Sequence, residues 1–189
     1  SDRLIDTYVN DGTQAICLSH QVYNELGQLM EKNIHGSSLS GYIQSMDYGY
    51  NIRGWLKNIN STNLSSDGDG DLFGMRLYYQ DATQNRQYNG NISQMDWTRS
   101  GGYVDNYRFR YDELNRLLTA NYSSTQSGMP AGAYNTSTAY DENGNIRKFN
   151  QYYNRGGTKV AMDSMVFSYL GNQLNMVSDA AADSSIKDM

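Results

Sequence analysis

The sequence predicts an all-β fold, an array of antiparallel β-hairpins that forms an open curved sheet or a partial, barrel-like shell. Three observations predict it: a turn motif that recurs at fixed offsets, 17 Tyr against 4 Phe and 2 Trp, and 18 Gly against a single Pro. Tyr packs its ring on a sheet and leaves its hydroxyl in water, while Gly and Asn supply tight reversals. Helical signals are scarce in this chain.

The recurring motif starts with Tyr, which Asn or Asp follows directly. A Gly or Asn stands four residues after the Tyr, and a Leu or Ile stands six residues after it. Full copies begin at Tyr23, Tyr50, Tyr111 and Tyr140, a contracted copy at Tyr169, and a shortened copy at Tyr88. Asn and Asp bond the backbone of a turn, and Gly or Asn adopts the left-handed conformation that the turn needs. Each copy therefore predicts one hairpin turn, with Tyr and Leu on the same side.

The predicted hairpins are residues 14–23 with 28–34, 42–50 with 55–59, 103–111 with 116–122, 134–140 with 145–153, and 165–169 with 173–177. Additional strands are predicted at 72–80 and 91–97, with Met95 and Trp97 facing inward. In the central hairpin, alternation places Tyr107, Phe109 and Tyr111 on one face and Arg108 and Arg110 on the other. Residues 1–13 form an N-terminal segment, 14–178 the hairpin array, and 179–189 a disordered tail.

The motifs resemble those of the RHS/YD-repeat proteins. Tyr50-Asn51-Ile52-Arg53-Gly54-Trp55-Leu56, Asp71-Leu72-Phe73-Gly74-Met75, Tyr88-Asn89-Gly90-Asn91-Ile92 and Tyr169-Leu170-Gly171-Asn172-Gln173-Leu174 are similar to the Bacteroidetes branch of that family. The resemblance covers roughly residues 14 to 180. It implies a wall of hairpins, which in larger relatives spirals into a hollow shell around a toxin or effector polypeptide.

The resemblance further implies a secreted or cell-surface protein, with a signal segment outside this sequence. We expect a non-catalytic structural segment whose partners are neighbouring repeats of its own longer chain, and beyond them a toxin, an effector or a cell-surface carbohydrate. Nothing after Asp179 resembles the core segment with which shell-forming relatives end. Self-cleavage is therefore not expected here. The open sheet edges favour pairing with a second copy or with further repeats.

The formal net charge of −5 disfavours a nucleic-acid partner, since such binding depends on clustered positive charge. The single Cys17 lies in an apolar strand and is interpreted as a buried, inert thiol. No apolar run approaches the ~20 residues that span a bilayer. His20 and His35 have no ligand partners at zinc spacing, so both are interpreted as ordinary imidazoles. No catalytic, cofactor-binding or metal residue is assigned.

Three site hypotheses remain open at this level. Asp67, Asp69 and Asp71 alternate as at the start of a calcium loop, but the twelfth position holds Tyr78 where a bidentate Glu is expected. A carbohydrate-binding module would use exposed Tyr and Trp beside Asp or Asn. A glycoside hydrolase would need a carboxylate pair, for which Asp112-Glu113 and Asp141-Glu142 are candidates. Their position in the repeated turn already explains the aspartates.

Overall fold

The computed structural model describes residues 3–10, 12, 15–36, 41–64 and 70–181. Within these residues the chain forms 13 β-strands and no helix. The hydrogen-bonded order of the strands follows the chain from the first to the thirteenth. The prediction of an all-β open sheet of antiparallel hairpins is confirmed. The described part of the chain contains no helix long and apolar enough to cross a membrane.

The strands are β1 (Asp6–Asn10), β2 (Ala15–Tyr23), β3 (Leu29–Gly36), β4 (Tyr42–Tyr50), β5 (Leu56–Ile59), β6 (Phe73–Tyr78), β7 (Gln94–Arg99), β8 (Val104–Tyr111), β9 (Leu117–Ser124), β10 (Thr136–Tyr140), β11 (Ile146–Arg155), β12 (Thr158–Leu170) and β13 (Gln173–Asp179). The hairpin strands predicted from the motif are all present. In the four full copies the strands end at Tyr and restart at Leu or Ile, as the motif predicts, whereas in the contracted copy β12 ends at Leu170 and β13 starts at Gln173.

The strand registers pair the first and the seventh residue of every full motif. Tyr23 pairs with Leu29, Tyr50 with Leu56, Tyr111 with Leu117 and Tyr140 with Ile146. In each hairpin the register shifts by one residue directly before the Tyr, which marks a β-bulge. The contracted copy pairs Tyr169 with Leu174 and carries the same shift. The predicted placement of Tyr beside Leu is therefore confirmed.

Three segments differ from the sequence-based expectation. Asp6–Asn10 form β1, which pairs with β2, although these residues were placed in the N-terminal segment. β12 is 13 residues long because its first part, from Thr158 to Val166, pairs with β11 and its last part, from Met165 to Leu170, pairs with β13. β13 ends at Asp179, where the predicted tail begins. Residues 182–189 of that tail lie outside the described residues.

The chain divides into two compact units. The first comprises Ser1–Leu77 with Asp96–Gly102, and the second comprises Tyr78–Met95 with Tyr103–Met189. Among the described residues of the first unit, the buried ones are Cys17, Asn33, Gly36, Asn60, Asp71, Gly74, Leu77 and Thr98. The burial predicted for Cys17 is confirmed. Most of this set is small or polar, so most large apolar side chains in the unit, apart from Leu77, remain partly accessible.

The second unit has a similar core. Its buried residues are Tyr79, Ala82, Ser93, Asp105, Ala120, Tyr122, Gly132 and Ala133. In β8, Tyr107, Phe109 and Tyr111 are half-buried while Arg108 and Arg110 are exposed, as alternation predicts. The rings of Tyr107 and Phe109 stack with their centres 5.8 Å apart.

Burial along β7 does not follow the predicted alternation. Met95 and Trp97 are half-buried, but so are Gln94 and Asp96 between and beside them. The fully buried positions are Thr98 within the strand and Ser93 just before it. The hydroxyl of Ser93 donates to the carbonyl of Tyr79, so a polar contact fixes the start of this strand. β7 therefore does not have one buried and one exposed face.

Candidate functional site

Each repeated turn is organised around its Asn or Asp side chain. Oδ1 of Asp112 accepts the N–H groups of Leu114 and Arg116, both at 2.9 Å. Oδ1 of Asn51 does the same for residues two and four places on, at 2.9 and 3.0 Å, and Oδ1 of Asp141 at 3.0 and 2.8 Å. One oxygen thus satisfies two backbone donors that the reversal exposes.

The fifth position of the motif adopts a left-handed conformation in every full copy. Its φ is +82° at Gly27, +78° at Gly54, +64° at Asn115 and +88° at Gly144. In the same turn the fifth-position N–H donates to the carbonyl of the Asn or Asp, at 3.0 Å from Asn115 to Asp112. Gly and Asn tolerate this conformation better than other residues, which explains why the motif alternates between them.

In several later motif copies the Tyr bonds the hairpin before it. The hydroxyl of Tyr140 donates to the carbonyl of Leu117 at 3.0 Å, and that of Tyr169 to the carbonyl of Ile146 at 2.9 Å. In the first unit, the hydroxyl of Tyr50 donates to the carbonyl of Leu29 at 2.9 Å. Each acceptor is the seventh residue of the preceding copy. We call these the tyrosine–carbonyl contacts.

The shortened copy at Tyr88 obeys the same rule. The hydroxyl of Tyr111 donates to the carbonyl of Ile92 at 3.0 Å, although Ile92 is only the fifth residue of its copy. Within the copy, Oδ1 of Asn89 accepts the N–H of Asn91 at 3.0 Å. The contact supports the interpretation of residues 88–92 as a shortened copy of the motif.

Tyr23 extends the pattern toward the beginning of the chain. Its hydroxyl lies 3.2 Å from the carbonyl of Leu4, just before β1, and 2.7 Å from Oε1 of Gln21. Leu4 thus stands where the last residue of a preceding copy would stand. Sequence reasoning missed this position because the residues before it carry no Tyr motif.

Side chains also connect neighbouring turns of the second unit. Nε of Arg116 lies 2.6 Å from Oδ2 of Asp112, and its guanidinium carbon lies 4.5 Å from the ring centre of Tyr140. Nδ2 of Asn143 donates to Oδ1 of Asn172 in the next turn at 3.0 Å. These contacts between repeats thus engage the polar groups of the turns.

The two aspartates considered for hydrolysis are engaged in this scaffold. The backbone N–H of Arg116 holds the pKa of Asp112 below its usual range, with further help from the Arg116 side chain. The side-chain amide of Asn145 lowers the pKa of Asp141 in the same way. A general acid must be protonated near neutral pH and therefore needs a raised pKa. The lowered pKa values of Asp112 and Asp141 instead keep both carboxylates ionised. Glu113 and Glu142 are exposed at the turn tips.

The calcium hypothesis can be followed at one of its three aspartates. Asp67 and Asp69 lie outside the described residues. The carboxylate of Asp71 is buried and accepts the side-chain amide of Asn60 at 2.7 Å and that of Gln44 at 3.3 Å. The described parts of the chain contain no group of three or more His, Cys, Asp or Glu that could hold a metal ion.

His20 has a structural partner in β1. Its Nδ1 lies 2.7 Å from Oδ1 of Asp6, and its ring stacks at 6.2 Å on that of Tyr42. The contact ties β1 to β2 near their paired ends. His35 is exposed and has a φ of +50° at the end of β3. Neither position favours a catalytic imidazole.

A polar cavity of about 460 Å³ lies in the first unit. Asp47, Lys57, Asn58, Asn60, Ser61, Thr62 and Arg76 line it. Asn60 is committed to the fold, because its Oδ1 accepts the N–H of Asp47 at 2.7 Å. None of these lining residues is aromatic. The arrangement differs from the stacking platform that the carbohydrate hypothesis requires.

A buried polar pair in the second unit escaped sequence reasoning. The hydroxyl of Tyr122 donates to Oδ1 of Asp105, and the two residues are 6% and 2% exposed. Burial raises the pKa of Tyr122 to about 12, and the Asp105 contact adds to the effect. The ring of Tyr122 packs edge-on against Tyr107 and Tyr134, with ring centres 5.5 and 4.9 Å away. Only the cross-strand register brings these residues together.

No family model and no curated protein matches the chain. Solved structures do match it, among them two titled "Crystal Structure of TcdB2-TccC3-Cdc42" and "Crystal Structure of TcdB2-TccC3-TEV". The first covers 90% of this chain, with a TM-score of 0.61 and 13% sequence identity. The second covers 95% of this chain, with a TM-score of 0.62 and 12% sequence identity. The chain spans about 9% of the length of each matched chain. At this identity the likeness shows the fold alone, which is RHS-like.

Proposed function

From the RHS-like fold, we propose that the chain is a non-catalytic structural segment, a stretch of hairpin wall in a larger protein. The observation that carries the proposal is the series of tyrosine–carbonyl contacts. Each contact joins a hairpin to the one before it, as from Tyr140 to Leu117 and from Tyr169 to Ile146. Such a series has no intrinsic end, because every hairpin offers the next one the same acceptor. A wall is the natural product of that chemistry.

The use of the polar side chains supports a structural role. Asp112 and Asp141, which a hydrolase would employ, hold their own turns through two backbone N–H groups each. Asp71 is held by two amides, and Asp105 receives the Tyr122 hydroxyl. The chemistry available in the repeat is therefore directed toward the backbone and toward neighbouring hairpins.

The proposal extends to what such a wall does. We place the segment in a secreted or cell-surface protein whose wall encases or presents a toxin or effector polypeptide. The support is the sequence resemblance to RHS/YD-repeat proteins together with the fold shared with the TcdB2-TccC3 structures.

Electron microscopy of the complete gene product that contains this sequence tests the proposal. We expect a hollow particle with a wall one sheet thick, and a polypeptide inside that resists added protease. Heating the particle above its melting temperature is the matched control, because it should make that polypeptide cleavable. A solid particle, or a hollow one in which protease cuts all segments equally, would refute the encasing role.

A further inference from the structure

The dipeptide Asn-Gly occurs twice in the sequence, at Asn89-Gly90 and at Asn143-Gly144, and each time an Asn and an Ile follow it. Both occurrences lie in motif copies of the second unit. The two glycines have φ angles of +103° and +88°, and both asparagines are exposed to water. The two sites thus share local sequence, exposure and a left-handed glycine, so that their hydrogen bonds are what distinguish them.

An asparagine before a glycine is open to attack by its own backbone, because glycine carries no Cβ to hinder the approach. The Gly nitrogen attacks Cγ of the Asn and forms a new N–C bond, while the C–N bond of the side-chain amide breaks. The proton of the Gly N–H leaves with Nδ2 as ammonia, and a cyclic succinimide remains. Water then opens this ring at either carbonyl, which yields aspartate or isoaspartate.

The N–H of the attacking glycine is hydrogen-bonded at one site and not at the other. The N–H of Gly144 donates to the carbonyl of Asp141 at 3.1 Å. Among the described residues, none accepts a hydrogen bond from the N–H of Gly90. The attack requires this N–H to give up its proton and its nitrogen to turn toward the side chain, which breaks any hydrogen bond that it makes. The bond to Asp141 therefore raises the barrier at Gly144 only.

The side-chain carbonyl under attack is also activated at one site only. Oδ1 of Asn89 accepts the N–H of Asn91 at 3.0 Å, because in the shortened copy Asn89 itself holds the turn. Negative charge develops on this oxygen during the attack, and a donor that is already in place stabilises it. In the other copy Asp141 holds the turn, and no described residue donates to Oδ1 of Asn143.

We propose that Asn89 is a site of spontaneous deamidation, which the turn of the shortened copy promotes, whereas the full turn around Asn143 protects the same sequence. The leaving amide does not separate the two sites. Nδ2 of Asn89 donates to Asn115, and Nδ2 of Asn143 donates in the same way to Asn172. The inference is independent of the proposed function, since it depends only on the chemistry of the two turns.

The reaction changes the contacts of the shortened copy. Aspartate at this position keeps the oxygen that accepts the N–H of Asn91, as the carboxylate of Asp112 does for its own turn. It loses the amide that donates to Asn115, and it adds a negative charge. Isoaspartate also adds a carbon to the main chain, which displaces Ile92, whose carbonyl accepts the hydroxyl of Tyr111 at 3.0 Å. Deamidation therefore weakens the link between this copy and the hairpin of β8 and β9.

Incubation of the full chain in mildly alkaline buffer, followed by peptide mapping with mass spectrometry, tests the inference. Each deamidation replaces NH2 by OH, and a methyltransferase specific for isoaspartate labels that product. In the folded chain we expect Asn89 to react at least about fivefold faster than Asn143, the effect of one hydrogen bond on a barrier. In urea the two rates should converge, because the local sequences match.

Two variants isolate the sites. Asn143→Asp leaves Asn89-Gly90 as the one Asn-Gly in the chain, and Asn89→Asp leaves Asn143-Gly144. Other asparagines react equally in both variants, so the first should gain mass faster than the second. Equal rates at the two sites in the folded chain, or a faster reaction at Asn143, overturn the proposal. A difference that persists unchanged in urea also overturns it, because the preceding residue, Tyr88 or Glu142, then sets the rates instead of the turn.

Discussion

The hydroxyl of Tyr140 donates a 3.0 Å hydrogen bond to the backbone carbonyl of Leu117, at the start of the preceding hairpin. Both residues belong to the repeated motif, Tyr140 as the first residue of one copy and Leu117 as the seventh of the previous one. The side chain that ends one strand thus secures the beginning of its neighbour. This contact makes the stacking of hairpins a property of the motif.

Replacing Tyr140 by Phe should lower the free energy of unfolding by about 1 kcal/mol, because the carbonyl of Leu117 loses its donor while the ring stays in place. Urea denaturation measures the change. The control is Tyr103→Phe, at a residue that is 43% exposed and receives no hydrogen bond in the described structure. The control should stay within about 0.5 kcal/mol of the parent. Equal losses in the two variants would show that the Leu117 contact contributes nothing specific.

The turn aspartates should make the protein sensitive to acid. Their folded-state pKa values are lowered, for Asp112 chiefly by the Arg116 backbone N–H and for Asp141 chiefly by the Asn145 side chain. This stabilisation is fully present above the unfolded pKa of about 3.9 and is lost as pH falls toward the lower folded values. Urea unfolding between about pH 2 and 7 should therefore show stability declining below about pH 4.

The double variant Asp112→Asn with Asp141→Asn tests the cause of that decline. Asn24 and Asn51 show that an amide oxygen holds the same turn. The variant should fold, and its stability should fall less steeply below about pH 4. Some decline should remain, because backbone N–H groups also lower the pKa of Asp179. An unchanged slope would mean that these two carboxylates are not responsible.

Alkaline pH should unfold the second unit through Tyr122. Burial raises the pKa of Tyr122 to about 12, above the usual value of about 10. The folded state therefore favours the neutral phenol, so stability is complete below about pH 10 and is lost as pH rises through the folded pKa. The ultraviolet absorbance of phenolate should show one tyrosine that ionises last and is missing in Tyr122→Phe. If the late phenolate signal instead disappears in Tyr107→Phe, the assignment of that signal to Tyr122 is wrong.

The fifth motif position should discriminate between residues by backbone conformation. Gly144 has a φ of +88°, and a side chain added there meets only Nη1 of Arg116 at an ordinary 3.5 Å. Gly144→Ala should therefore cost about 1–2 kcal/mol from the left-handed conformation alone. Gly144→Asn should cost less, since Asn115 occupies the same place at +64°. Thermal unfolding of both variants measures this, and a larger loss for Asn would point to crowding.

Calcium should leave the protein unchanged. The carboxylate of Asp71 already accepts two side-chain amides, from Asn60 and Gln44. Releasing it for a cation would break both contacts, and the contact with Asn60 is buried. Titration calorimetry should detect no heat, and the melting temperature should not move. A saturable rise in melting temperature with calcium would revive the site predicted at Asp67, Asp69 and Asp71.

Sequence could predict the hairpins because the turn chemistry is local. Asn51, Asp112 and Asp141 bond residues only two and four places away, so fixed offsets encode the whole reversal. The same offsets set the pairing of Tyr111 with Leu117. Local rules of this kind need no knowledge of the remaining chain.

Other features depended on partners that a single segment does not reveal. β1 is polar and became a strand through pairing with β2, where Asp6 meets His20. The burial of Asp105 and Tyr122 follows from a register that joins residues 17 places apart. Asn60 likewise bonds Asp71 and Asp47 across a loop. These long-range polar contacts determine the cores of both units, and no short motif marks them.

Residue-resolved hydrogen exchange of the parent chain tests the central claim, that the hairpins support one another in series, most directly. The account predicts that amides of internal strands such as β9 and β11, which have paired strands on both sides, exchange more slowly than those of β13. Amides of β13 should exchange fastest, and Tyr140→Phe should raise exchange mainly in β9 and β10. Uniform exchange across β9, β11 and β13, with a uniform response to Tyr140→Phe, would contradict the account.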